Sequence, residues 1–243
     1  MKPKYAWRAV PVAITATLLC AAACGGSGGT AASHTSHVAS PVPAAEGTAA
    51  KSATVILAEA HRALAEARSV HVKGSVTTRD GRMSIDVRIG PNTAIGKMTI
   101  PVRGQMVTTP VRSVGGKVYN RSRRMALIAG GPEAAAAIGD RWVYSKADST
   151  AIRTFLTTKK LADILTITDG GQVSKGNATT INGIPVITLV SDGSVLYVAT
   201  TGAPRPVRLA PSLKASGQRL DFSEYDVPFT VTVPSRAVDL SPH

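Results

Sequence analysis

Between Ser52 and Arg68 apolar residues recur at three- and four-residue intervals. Ile56, Ala60, Ala63, Leu64 and Ala67 share one side, with Glu59, Arg62, Glu66 and Arg68 elsewhere. That spacing predicts an amphipathic helix, with Ser52 or Thr54 placed to cap its first turn. The period then changes to two. Val70, Val72, Gly74 and Val76 alternate with polar residues, Arg79-Asp80-Gly81-Arg82 marks a turn, and Met83, Ile85, Val87 and Ile89 follow with Ser84, Asp86 and Arg88 between them. This predicts antiparallel strands with one apolar and one wet face. Met98, Ile100 and Val102 repeat the alternation after Gly90-Pro91-Asn92, and Gly115-Gly116 joins Thr109–Val114 to Lys117–Arg121 as a hairpin.

The middle of the chain breaks the pattern. Alanine-rich Ala126–Ile138 contains Gly130-Gly131-Pro132 and predicts a short helix starting near Pro132. Thr150–Leu156 and Thr158–Leu165 predict two more short helices, the second with Leu161, Ile164 and Leu165 as its apolar stripe. Beyond Gly170-Gly171 strands resume at Gln172–Lys175, Asn177–Ile181, Ile184–Ser191, Val195–Thr200, Val207–Ala210, Arg219–Tyr225 and Phe229–Val233, with Asn182-Gly183 and Asp192-Gly193 as hairpin signals. About ten strands are too many for a small two-layer domain unless the sheet curves strongly. The expected class is α+β: one long curved antiparallel sheet, a helix before it and short helices inserted midway.

Composition bounds the chemistry. The chain has 243 residues, 44% hydrophobic and 18% charged, which suits a folded domain. Its two cysteines are Cys20 and Cys24, so everything after Cys24 is free of thiols. That excludes a disulfide framework, a Cys-ligated metal site and a cysteine nucleophile from the folded part. Lys2, Lys4 and Arg8 precede an apolar stretch from Ala9 to Ala23 that is too short to span a membrane and reads as a secretory signal. It ends in Ala21-Ala22-Ala23-Cys24-Gly25-Gly26, which resembles the lipobox of bacterial lipoproteins, departing from it in having Ala21 where a branched apolar residue is usual. The resemblance implies cleavage before Cys24 and a lipid on its thiol; ordinary cleavage after an Ala-x-Ala site is the other reading. Residues 25–50 are mostly small and polar, including His34 and His37, and read as a flexible tether. The expected organisation is thus a signal over 1–23, a lipid-anchored linker over 24–50 and one domain over 51–243.

Charge raises a nucleic-acid reading and its distribution removes it. The net is +13, and residues 51–131 hold 14 basic and four acidic residues. An exported chain without interleaved aromatic and basic residues is a poor candidate for binding nucleic acid. Arg121, Arg123 and Arg124 form the tightest basic cluster, a candidate for anionic headgroups or a membrane surface; a generally basic solvated surface is the alternative. For catalysis the residues offer little. His61, His71 and His243 lie outside any nucleophile-elbow or His-Glu-x-x-His pattern, and Asp221, Glu224 and Asp226 read as a solvated turn balancing Arg219. No enzyme activity, metal or cofactor is expected.

Several phrases resemble one known group. Val118-Tyr119, Gly139-Asp140-Arg141-Trp142-Val143, Ile181-Asn182-Gly183-Ile184-Pro185, Leu196-Tyr197-Val198-Ala199-Thr200-Thr201-Gly202 and Phe222-Ser223-Glu224-Tyr225-Asp226 before Val231-Thr232-Val233-Pro234 are similar to LolA-like lipoproteins of high-GC Gram-positive bacteria, the LppX and LprG type. The resemblance covers about residues 51–235. It implies a half-barrel whose concave apolar face is covered by the helices. It also implies lipid or lipoprotein acyl chains held between sheet and helices, and a monomer anchored through Cys24 at the extracytoplasmic face of the cell membrane. Met83, Ile85, Val87, Ile89, Met98, Ile100 and Val102 are the expected cavity lining, with Val186, Thr188, Val190, Val195 and Tyr197 further candidates. Small and branched side chains on a curved sheet leave two outcomes open: a ligand cavity, or helices that fill the space completely. The second corresponds to a surface lipoprotein acting through protein contacts.

Overall fold

The computed structural model describes residues 47–78, 81–144, 156–166, 172–191, 194–210 and 218–240. The signal, Cys24 and most of the tether lie outside them, as do most of the helix expected over Thr150–Leu156 and the turn Asp192-Gly193. A single 3-10 turn over Thr48–Ala50 leads into helix α1, Ala53–Ala65, where the Ser52 hydroxyl accepts the Val55 N–H at 3.4 Å. Six strands follow the chain as a meander. They are β1 (Val70–Thr78), β2 (Gly81–Ile89), β3 (Ala94–Val102), β4 (Gln105–Val114), β5 (Lys117–Asn120) and, after helix α2 (Arg123–Ile138), the two-residue β6 (Val143–Tyr144). Helix α3 (Thr158–Thr166) then precedes a second meander: β7 (Ser174–Ile181), β8 (Ile184–Ser191), β9 (Ser194–Ala199), β10 (Pro206–Ala210) and β11 (Arg219–Ser223).

All of these strands, with β12 (Val238–Asp239), form one open, curled sheet in the order β12-β6-β5-β4-β3-β2-β1-β11-β10-β9-β8-β7. The two meanders meet at one seam, where β1 pairs antiparallel with β11 from His71 opposite Ser223 to Ser75 opposite Arg219. The α+β half-barrel expected from the alternation is present, with twelve strands rather than about ten because β6 and β12 are too short to leave a periodic signal. Gln172–Lys175 and Asn177–Ile181 are one strand, β7, interrupted by a bulge between Lys175 and Ala178.

Two differences have local causes. Helix α2 starts at Arg123, a full turn and more before Pro132, because Ser122 caps it by accepting the Met125 N–H at 3.0 Å. Pro132 begins only its second half, after a kink at Gly131 with φ 81°. Phe229–Val233 is not a strand. The chain between β11 and β12 crosses the ends of the first meander instead of running beside a neighbour. It is tied there by Asp226 N–H to Ser69 O (2.9 Å), the Ser69 hydroxyl to Val227 O (2.7 Å), Arg112 to Thr232 O (3.3 Å) and Val238 N–H to Trp142 O (2.9 Å). Pro228 and Pro234, which lack an N–H, suit such a strap better than a ladder.

The main core lies between one face of the sheet and helices α1 and α3. Val70 opposes Ile89, and Val72 lies between Val87 and Phe222, so their side chains share that face. Ile56, Ala60 and Leu64 of α1 and Leu161, Ala162 and Leu165 of α3 close on it, all buried. Each large aliphatic side chain placed there contributes on the order of 1.5–3 kcal/mol of burial. Thr158 fixes α3 in place: its hydroxyl donates to Ala65 O at 3.2 Å and its N–H to Gly90 O at 3.2 Å.

Candidate functional site

Toward the far end of the seam the helix cover is incomplete. A cavity of about 310 Å³ lies between α3 and strands β1, β9, β10 and β11. Val76, Leu209 and Leu220 make its floor and Ile164 of α3 its apolar wall, while Ser75, Ser194, Gln218 and Arg219 supply polar groups around them. These floor residues meet because β10 and β11 pair Leu209 with Leu220, and β11 lies against β1. Deeper under the helices the space closes to roughly 10 Å³ among Leu57, Leu165, Val173, Leu189 and Leu196. The volume is near the lower bound of about 300 Å³ for small-molecule sites.

Two cations stand at this site. Arg82 of β2 donates to the Ser75 hydroxyl from Nε (3.2 Å) and Nη2 (2.9 Å). Arg219 is oriented by Asp221, whose Oδ2 accepts its Nε–H at 2.9 Å, and the other oxygen of Asp221 accepts from Arg208 at 2.5 Å. An apolar interior with guanidinium groups beside it can accept an aliphatic chain and stabilise an anionic end.

The residues expected to line a cavity sit beside it. Met83, Ile85, Val87, Ile89 and Met98 are buried in the main core with Ile56, Leu64 and Leu161, and Ile100 packs at its margin. Val102 is half-buried at the end of β3. Large side chains from α1 and α3 occupy the space above the buried five, so the open volume lies further along the seam. For the later strands the register is the reverse of that expected. Ile187, Leu189, Leu196 and Val198 face the helices, whereas Val186 and Tyr197 pack on the opposite face with Ile181, Ala199 and Val207. Both faces of β8 are covered there, Val186 through Leu189 being buried in succession, so its apolar run carries no parity. Cavity residues Ile164, Leu209 and Leu220 fall within predicted elements. Their convergence depends on the β1–β11 pairing, for which no local sequence signal exists.

The basic cluster divides. Arg121 stacks over the Trp142 ring at 5.4 Å, with Arg112 at 4.8 Å from the same ring, while Arg123 and Arg124 are exposed in the first turn of α2. The acidic cluster divides too. Asp221 holds Arg208 and Arg219, Glu224 pairs with Arg88 and lies 3.5 Å from His71, and Asp226 pairs with Arg205 and accepts the Arg68 N–H at 2.8 Å. His71 also meets Asp86 at 2.8 Å. Each carboxylate therefore ties two elements together rather than converging on one point. Among the described residues no helix is long and apolar enough to cross a membrane.

An open antiparallel sheet curled around two helices, with an apolar cavity between them, is a LolA-like half-barrel. No family model matches the sequence, and no curated protein matches it either. Among solved structures the chain resembles LprF from Mycobacterium bovis, with a TM-score of 0.51 and 16% identity over 75% of this chain and 96% of that one. Mycobacterium tuberculosis lipoprotein LppX aligns with a TM-score of 0.48 and 16% identity, covering 74% of this chain and 99% of LppX. A LolA superfamily protein from Nitrosomonas europaea aligns at 0.29 and 12% identity, over 74% and 96% of the two chains. The fold is of the LppX/LprG type.

Proposed function

We propose that the protein is a non-catalytic, membrane-anchored carrier that binds the acyl part of a lipid or lipoprotein in the cavity beside α3. The observation that carries this reading is the apolar floor of Val76, Leu209 and Leu220 with Arg82 and Arg219 at its margin. An aliphatic chain gains on the order of 0.8 kcal/mol for each methylene buried there, and the guanidinium groups favour an acidic headgroup. Anchoring is supported by the lipobox-like run ending at Cys24 and by the small, polar residues that separate it from α1. The extracytoplasmic face of the cell membrane follows from the same features, and the chain acts as a monomer.

Native mass spectrometry of the full chain, purified gently from membranes, is expected to find a lipid bound, and the delipidated protein is expected to take up a fluorescent fatty acid. Val76→Phe fills the floor and should abolish uptake while leaving the fold intact; Val76→Ala should retain it. Absence of any co-purifying lipid together with no probe uptake by the wild type overturns the carrier reading in favour of a filled core and a role through protein contacts. For the anchor, Cys24→Ala should release the protein from the membrane fraction or leave an uncleaved precursor, and unchanged retention of a cleaved form overturns it.

A further inference from the structure

A second cavity, of about 460 Å³, lies along the outer flank of α1 and shares no lining residue with the first. On one side are Glu59, Arg62 and Glu66 of α1. The other side is formed by Ala203, Pro204 and Arg205, between β9 and β10, with Asp226 and Lys51 also contributing. Its fixed charges balance, three basic against three acidic. Some are already committed. Lys51 Nζ donates to Glu59 Oε1 at 2.6 Å, and Arg205 pairs with Asp226 while lying 4.8 Å over the Tyr225 ring.

Three groups are not. Glu59 Oε2 is buried and has no hydrogen-bond donor among the described residues. Arg62 and Glu66 have no ion-pair partner among them. A buried carboxylate oxygen without a donor costs about 1–3 kcal/mol or more, and such an atom in a native protein calls for a partner. One water would satisfy Glu59 Oε2 and leave Arg62 and Glu66 as they are. A net anion would meet Glu59 and Glu66, and a net cation would meet Arg62 and Lys51. A neutral molecule with separated charges meets neither objection.

We propose that this cleft binds a small zwitterion, its ammonium donating to Glu59 Oε2 and its anionic group taking the guanidinium of Arg62. The aminoalkyl phosphate headgroup of a lipid and a free solute of the same chemistry both fit this description. The site stands independently of the acyl-chain cavity, so either can fail alone.

The test is calorimetric titration of the full chain with O-phosphoethanolamine, ethanolamine and inorganic phosphate in parallel. Saturable binding of O-phosphoethanolamine is expected, with each half-molecule weaker by about tenfold or more. Glu59→Gln keeps the side-chain volume and removes the charge, and it should weaken O-phosphoethanolamine by about tenfold without lowering thermal stability; Arg62→Gln should do the same from the other end. Cosedimentation with phosphatidylethanolamine vesicles that is reduced by Glu59→Gln assigns the ligand to a lipid headgroup. Binding of the free compound without vesicle binding assigns it to a solute. No saturable binding of O-phosphoethanolamine, binding of phosphate alone as tight, or wild-type affinity in both variants overturns the proposal.

Discussion

Gly74 lies so close to the carbonyl of Arg219 across the seam that a Cβ added to it would stand 1.9 Å from that oxygen. Its φ of +152° is also one that residues with side chains rarely adopt. Gly74→Ala must therefore push β11 away from β1 in the strand segment that supplies the cavity floor. We expect a loss of about 3 kcal/mol or more in urea unfolding, with acyl-probe uptake lost alongside. A wild-type midpoint in Gly74→Ala would show that the seam yields easily.

Tyr225 ties the beginning of the C-terminal strap to the second meander, its hydroxyl donating to Pro206 O at 2.8 Å. Burial pushes its phenol far above the ordinary range, so it is a neutral donor under all native conditions. Tyr225→Phe leaves that carbonyl without this donor and should cost about 1–2 kcal/mol, read as a lower denaturation midpoint at unchanged m.

Acid should loosen the same region. The hydrogen bond from His71 is the main influence holding the Asp86 carboxyl below its ordinary value of 3.8, with burial opposing it. For Asp226 burial pushes up, and the Arg68 N–H with the Arg205 guanidinium outweighs it, leaving that carboxyl low as well. Because both are depressed in the folded state, their stabilisation is complete above the unfolded value and is lost as pH falls through the folded ones. Stability of the wild type should therefore decline below about pH 4, and the decline should be shallower in Asp86→Asn and Asp226→Asn. An equally steep acid limb in both variants would refute this assignment.

Arg121, Arg123 and Arg124 offer a test of membrane contact. Replacing all three with Ser should weaken sedimentation with anionic vesicles, each cation near such a surface being worth on the order of 1 kcal/mol, and the loss should vanish at high salt. Arg121→Ser alone should also alter Trp142 fluorescence, because the two groups stack. Unchanged vesicle binding by the triple variant would make the cluster a solvated surface.

The first meander was legible because each of its strands is wet on one side, so that Ser84, Asp86 and Arg88 fix which way Ile85 and Val87 point. β8 gave no such guide: Val186 and Ile187 are both buried, on opposite faces, and parity there is set by neighbours rather than by the run itself. The strap was read as a strand because Phe229–Val233 has strand-like residues; its crossing path is decided by partners such as Ser69 and Arg112. Of the cavity, the elements were legible and their convergence was not. Val76, Leu209 and Leu220 are far apart along the chain, and only long-range pairing brings them together.

The seam also dictates an order of events. Every strand pairing within each meander joins near neighbours along the chain, whereas β1 must wait for β11, which leaves the ribosome and crosses the membrane much later. Such non-local closure is slow. The floor of the acyl cavity therefore comes into being only when the last long strand docks, and a newly exported molecule cannot load cargo before its folding is complete.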